Sequence, residues 1–274
     1  MNPAEPPPIP AARLEWAALS DQGLRRKNNE DAWGVWTPGA GEGPPEALGP
    51  LPEQGVVLVV SDGMGGAAAG EVASRFCIDQ LRRELAPTPD ATAATVLVEA
   101  FGRVHQGLLA LAEAKPEWQG MGATLSALWL RPGGDAVLVH IGDSRIYQGI
   151  SGQPWVQLTE DHSVGAAMVR RGEMSAEAAR RLRFRSMLEQ VMGGDGAPIE
   201  PQVLRFRWAE AMRFVLCSDG LHGPLEADLE ARMDAAWADG VTAAAPALVA
   251  AANEAGGPDN VTVVLAHFVP GPVA

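Results

Sequence analysis

Hydrophobic positions along the chain follow two rhythms. Short apolar runs, 55–60 (GVVLVV), 136–141 (AVLVHI) and 213–217 (RFVLC), predict buried strands. Residues 14–21 (LEWAALSD) and 31–36 (DAWGVW) read as strands on either side of the polar turn RRKNNE at 25–30. From 71 to 85 the spacing is helical, with Val72, Phe76, Ile78 and Leu81 near one face. A second helix, 91–114, stops before Lys115-Pro116. Strand-like segments 122–130 and 135–143 are joined by RPGG, and RIYQ followed by PWVQLT predicts a hairpin. Residues 163–192 read as helical, 199–207 and 212–217 as a strand pair, 225–255 as alanine-rich helix and 261–268 as a last strand. Strands neighbouring strands and helices neighbouring helices point to α+β architecture, antiparallel sheets with packed helices, rather than a βαβ array. No internal repeat of 20–50 residues is visible.

Composition adjusts this picture at the edges. Residues 1–12 are proline-rich, lack the basic-then-apolar layout of a secretory signal and predict a disordered lead-in. Residues 37–55, rich in Pro and Gly, predict a long flexible connection. The remainder, 13–270, reads as one domain, and the lack of a second module predicts a free-standing unit. No apolar run is long enough to span a bilayer. Cys77 and Cys217 sit in apolar contexts (RFCI, VLCS) and read as small core residues in a reducing cytoplasm. A formal charge of −13 argues against a nucleic-acid partner and fits a soluble acidic protein or one that collects cations.

Candidate chemistry centres on 61–74 (SDGMGGAAAGEVAS), where the first apolar run ends. Residues 63–68 fit G-x-G-x-x-A, the turn that cradles a dinucleotide pyrophosphate, but that fold needs a parallel strand soon after the helix, and here helix leads to helix. A second pattern is stronger. VVLVVSDG (56–63), AVLVHIGDS (136–144) and RFVLCSDG (213–220) each run strand, small residue, aspartate; Asp31 opens another strand and Asp259 precedes the last. Any one such Asp is as well explained by turn formation. Five, brought together, would repel one another unless divalent cations sat among them. Two unit charges ~4 Å apart cost about 4 kcal/mol at an effective dielectric near 20. All-oxygen donors suit Mg²⁺ or Mn²⁺, and the absence of paired Cys or His spacing argues against zinc.

These residues resemble a known family. RKNNED (26–31), DGMGGAAAGEVAS (62–74), GMGAT (120–124), VHIGDSRIY (139–147), LTEDHS (158–163), CSDGL (217–221) and GGPDNVT (256–262) match, in order, the motifs of bacterial metal-dependent protein phosphatases of type 2C. The resemblance covers about residues 14–268 and implies an α-β-β-α sandwich, two antiparallel sheets flanked by helix pairs. It implies that Asp62 bridges two Mn²⁺ or Mg²⁺ ions, with the Gly63 carbonyl on one of them. Asp219 and Asp259 would hold the other ion. Asp31 would lie nearby as a direct or water-mediated ligand, with Glu30 behind and Asn260 orienting Asp259. Asp143, with Ser163 helping, matches the third-metal position of bacterial members. The two metals would acidify a bridging water, whose hydroxide attacks phosphorus in line, while Arg26 grips the phosphate.

Some members carry His after Asp-Gly, a candidate general acid; here the residue is Met64. Leaving-group protonation would fall to metal-bound water or to His162, whose other reading is a residue that orders the DHS turn. His105, His140, His222 and His267 read as structural. Residues 163–192 correspond to the family's variable flap, and six arginines make it locally basic. This is either a solvated helix face or, through Arg180 and Arg181, a docking surface for acidic phosphopeptides. The expected partners are phosphorylated proteins, including a bacterial serine/threonine kinase, with no nucleic acid, no membrane and a monomeric chain. A pseudophosphatase scaffold is the competing reading, but every expected aspartate position is filled.

Overall fold

A computed structural model of the chain describes residues 13–40, 47–65, 69–85 and 92–269. Its elements, in order, begin with β1 (Arg13–Asp21), β2 (Asp31–Trp36), β3 (Leu48–Pro50), β4 (Val56–Met64), α1 (Ala69–Glu84) and α2 (Ala93–Glu113). The middle of the chain forms β5 (Gly122–Ala123), β6 (Leu125–Leu130), β7 (Asp135–Ile141), β8 (Arg145–Ile150), β9 (Val156–Gln157), α3 (Val164–Arg170) and α4 (Ala176–Arg180). Then come β10 (Met192–Gly193), β11 (Gln202–Arg207), β12 (Met212–Cys217), α5 (Asp219–His222), α6 (Leu229–Ala236), α7 (Val241–Glu254) and β13 (Val261–Val269).

Two sheets result, with every strand pairing antiparallel. One is ordered β3-β1-β13-β12-β8-β9; the other is β10-β5-β4-β6-β7-β11, with β2 on the free side of β4. The layers follow from alternation along the strands. On β4, Val57 and Val59 pack beneath α1 and α2, while Val56, Leu58 and Val60 face the other sheet. On β13, Val264, Ala266 and Phe268 share that middle core, whereas Val261, Val263 and Leu265 pack beneath α6 and α7. Three apolar interfaces therefore separate four layers, and the expected α-β-β-α sandwich is present.

Helices α1 and α2 lie within two residues of their predicted bounds. Four expectations need correction. The 37–55 segment is not all loose connection: β3 pairs with the start of β1, and Trp16 N donates to Ala47 O at 2.9 Å. Segment 122–130 is two strands broken at Thr124. Strands β11 and β12 are not partners; β11 pairs with β7 in one sheet and β12 lies between β8 and β13 in the other. Their patterns differ accordingly, β11 alternating as an edge strand and β12 nearly continuously buried. Finally, 163–192 is mostly turns, with only α3 and α4 helical, each opened by a serine cap (Ser163, Ser175). Gly172, at φ +70°, ends the first of them. The 1–12 lead-in and part of the G-x-G-x-x-A turn lie outside the described residues. The helix after that turn leads into α2, not into a parallel strand.

Candidate active site

The strand ends do converge. Register between β2 and β4 sets Asp31 directly opposite Asp62. The β4 end is held by Thr124, the residue that breaks β5 from β6. Its N–H donates to Asp62 O (2.8 Å) and its hydroxyl accepts from Asp62 N (2.9 Å). Gly63 permits the next close approach: a Cβ there would fall 2.0 Å from Gly70 O, at the start of α1. Gly63 N also donates to Glu30 O (3.1 Å), joining the residues before β2 to the end of β4.

From the other sheet come Asp219, at the head of α5, and Asp259, before β13. Ser218 couples the two sheets: its hydroxyl donates to Asp31 Oδ2 (2.6 Å) and accepts from Thr262 N (3.0 Å). Asn260 acts mainly as a fastener. Its amide donates to Gln22 O and Asn28 O (both 2.8 Å) and accepts from Glu30 N (2.9 Å), while its backbone N–H donates to Asp259 Oδ1 (2.8 Å). The 22–30 loop, which carries Arg26 and Glu30, is thereby tied to Asp259. Arg26 Nη2 contacts Asp259 Oδ2 at 2.6 Å.

Electrostatics mark the cluster. Burial first, then the neighbouring carboxylates, holds Asp62 well above the usual range, and the same causes raise Asp31 and Asp219. Asp62 and Asp259 both act on the Asp219 carboxylate, an arrangement that favours a shared proton or a cation. Asp143, just past β7, is pushed up to about 8 by burial and then by Asp219 and Asp161. Asp143, Ser163 and Asp219 line one cavity of about 690 Å³, together with the flap residues Arg180 and Arg185.

His162 is committed elsewhere. Its Nδ1 accepts from Gly142 N (3.2 Å), its N–H donates to Gly142 O (2.7 Å), and its ring lies 4.9 Å from that of His140. This arrangement suits the turn-ordering reading. His222 donates to Asp143 O (3.0 Å), and burial pushes its ring down to about 3. Met64 stands 42% exposed beside the cluster. Of the two arginines singled out for docking, Arg180 bonds Glu226 (2.9 Å) and Arg181 bonds Glu177 (2.7 Å).

The donors fit divalent cations in part by what they leave unmade. Asp31 Oδ1 and Asp219 Oδ1 are buried without a hydrogen-bond partner, an expensive condition for a carboxylate oxygen unless a cation or water meets it. Among the described residues no group of three or more His, Cys, Asp or Glu forms a ready-made cage. The carboxylates come instead in facing pairs, a layout that suits ions keeping several waters.

A family profile described as protein phosphatase 2C matches residues 49–252. This chain belongs to the protein phosphatase 2C family. Within that family it is 36% identical over 256 residues to the serine/threonine protein phosphatase PstP of Mycobacterium tuberculosis. That alignment covers 93% of this chain but only 45% of the relative, so the chain spans about half its length. The Listeria innocua serine/threonine phosphatase stp is 30% identical over 252 residues, covering 90% of this chain and 92% of that one. A crystal structure of the M. tuberculosis PstP/Ppp phosphatase superposes with a TM-score of 0.79 at 34% identity, covering 94% of this chain and 99% of that one. The PstP catalytic domain solved in complex with two manganese ions gives 0.76 at the same identity and the same coverage.

Thr124 and Ser218 escaped sequence reasoning. Each lies inside a quoted motif (GMGAT, CSDGL), so the signal was present, but its partner is distant: Thr124 is 62 residues from Asp62 and Ser218 is 187 from Asp31.

Proposed function

We propose that residues 13–270 form one catalytic domain hydrolysing phosphoserine and phosphothreonine in proteins with the help of divalent cations. The carrying observation is the meeting of Asp31 and Asp62 from one sheet with Asp219 and Asp259 from the other, beside an arginine. In this reading Asp62 and the Gly63 carbonyl, with Asp219 and Asp259, hold two Mn²⁺ or Mg²⁺ ions; Asp31 supports them, and Asp143 with Ser163 takes a third. Bound there, the ions would lower the pKa of water and neutralise charge building on the phosphoryl oxygens.

The chain's own groups do the rest. Arg26 presents a planar fork for two phosphoryl oxygens. Thr124 and Ser218 fix the carboxylates in place, so little reorganisation is needed as charge develops. A cysteine nucleophile has no part in it: Cys77 and Cys217 are fully buried, which pushes each thiol up to about 12. Substrates would be phosphorylated proteins, including a serine/threonine kinase, met by a monomeric chain in the cytoplasm. Among the described residues no helix is long and apolar enough to cross a membrane.

Phosphate release from a phosphothreonine peptide tests the proposal. Turnover should require Mn²⁺, stop with EDTA and fall about 100-fold or more in Asp219→Asn. Full activity in EDTA, or in the variant, would rule the reading out.

A further inference from the structure

Arg26 and Asp259 have each been given a role, the one toward phosphate and the other toward a cation. They are nevertheless bonded to each other. Arg26 Nη2 lies 2.6 Å from Asp259 Oδ2, and the other Asp259 oxygen accepts from Asn260 N, so neither carboxylate oxygen is without a donor. Partial burial opposes the charged form of Arg26, but the contact outweighs it. The Asp259 hydrogen bond, then the charges of Asp259, Glu30 and Asp62, raise the Arg26 guanidinium above its ordinary value.

The backbone enforces the encounter. Leu24 N donates to Gly257 O (2.9 Å), Gln22 Nε2 donates to Arg26 O (2.8 Å), and the Asn260 amide grips Gln22 O and Asn28 O. Gly23 is so close that a Cβ on it would lie 2.0 Å from Asp259 O. The loop carrying Arg26 is therefore stitched along its length to the turn carrying Asp259, and the two side chains cannot drift apart as units. Only the Arg26 side chain, about half exposed, has room to swing.

A guanidinium and a divalent cation are both positive, and both seek Asp259 Oδ2. A guanidinium edge bonded to a carboxylate is likewise not open to a phosphoryl group. Resting on the cation site proposed above, we infer that Asp259 is an exchange point: the cation it takes displaces Arg26, and the released guanidinium then turns to the phosphate. Cation and oxyanion affinities are thereby coupled through one side-chain swing, in addition to any direct bond between them. Linkage makes that coupling reciprocal, so phosphate that draws Arg26 away tightens the cation at Asp259.

Exposed ion pairs of this type amount to no more than about a five-fold factor in an equilibrium. Removing the neighbouring positive charge adds to that, so the expected gain is about 3- to 10-fold. Calorimetric titration of Mn²⁺ into the full chain, without substrate, should show tighter binding in Arg26→Ala than in the wild type. A folding defect would weaken binding, so a gain is not its signature. In an Asp259→Asn background the same Arg26→Ala change should lose most of its effect, keeping only the share that comes from removing a nearby charge. Titrated with inorganic phosphate, the wild type should gain affinity on Mn²⁺ addition, and that gain should shrink in Arg26→Ala. Unchanged or weaker Mn²⁺ binding by Arg26→Ala, with the wild type binding normally, overturns the exchange alone. Failure of the wild type to bind Mn²⁺ at all overturns the cation site, and the exchange with it.

Discussion

Ser218 shows how much a single hydroxyl does here. It is fully buried, it donates to the raised Asp31 carboxyl and it accepts from Thr262 N, so one oxygen bridges the two sheets at the point where their aspartates meet. Ser218→Ala would strand a buried carboxylate oxygen and a backbone N–H together. The expected cost is about 2–4 kcal/mol, from two unsatisfied groups at about 1–3 kcal/mol each with partial relaxation. Urea titration should show a lower midpoint with an unchanged slope; a midpoint within error of the wild type would mean that Ser218 is dispensable. The sequence could flag Ser218 only as the small residue before an aspartate. Its partner, Asp31, becomes visible once β12 and β2 are placed in space, and nothing in the local pattern around 218 places them. The aspartates themselves were legible because a poor strand former at the end of an apolar run is a local anomaly.

At the scale of elements, periodicity identified strands and helices well and their partners less well. The contrast between β11 (QVLRFR, alternating) and β12 (MRFVLC, continuous) already encodes an edge strand and a central one. Adjacency in sequence suggested a pair because a hairpin is the commonest link between neighbouring antiparallel strands. The chain instead crosses between sheets through Trp208–Ala211, and Ala211 sits at φ 65°. The flap was harder to read. Its arginines resemble a helix face, but α3 and α4 are 7 and 5 residues long, and the charges are largely matched within the fold. Because Arg180 is bonded to Glu226 and Arg181 to Glu177, docking of an acidic phosphopeptide must compete with those carboxylates. Arg180→Glu combined with Arg181→Glu should raise KM for a phosphoprotein about 3- to 10-fold while leaving that for a small aryl phosphate unchanged. Steady-state kinetics on both substrates decide it, and equal phosphoprotein KM values before and after would dispose of the docking role.

For the molecule as a whole, the aspartate cluster links stability to pH and to cations. A carboxyl raised in the fold binds its proton in the native chain when the unfolded chain, at an ordinary value near ~3.9, has already released it. Stability contributed this way falls as pH rises from that value through the folded one, which for Asp143 is about 8. Buried neutral histidines act in the opposite sense, but only below their ordinary value near ~6.5, and the buried thiols join in only above theirs near ~8.5, so the carboxylates dominate in between. In EDTA the melting temperature should therefore drop between about pH 7 and about pH 8.5, and Asp143→Asn should flatten that drop. A cation that neutralises the cluster should restore the loss, at about 2–4 °C for each kcal/mol in a chain of this size. Calorimetric melts with and without Mn²⁺ provide the check; a flat profile in EDTA would mean that the carboxylates are solvated after all.

The pairing of β1 with β13 has a consequence in time. Nine residues at each end of the fold run alongside one another, and Ser20 bonds Thr262 across 242 positions of sequence. A ribosome adding roughly 5–20 residues each second needs roughly ten to fifty seconds to bridge that gap. Throughout that interval the first strand waits at a sheet whose centre has not yet been synthesised. Asp31 and Asp62 can meet early, as partners on adjacent strands, but Asp259 emerges long after them. A nascent chain therefore carries one sheet's share of the centre well before the other sheet can supply Asp259.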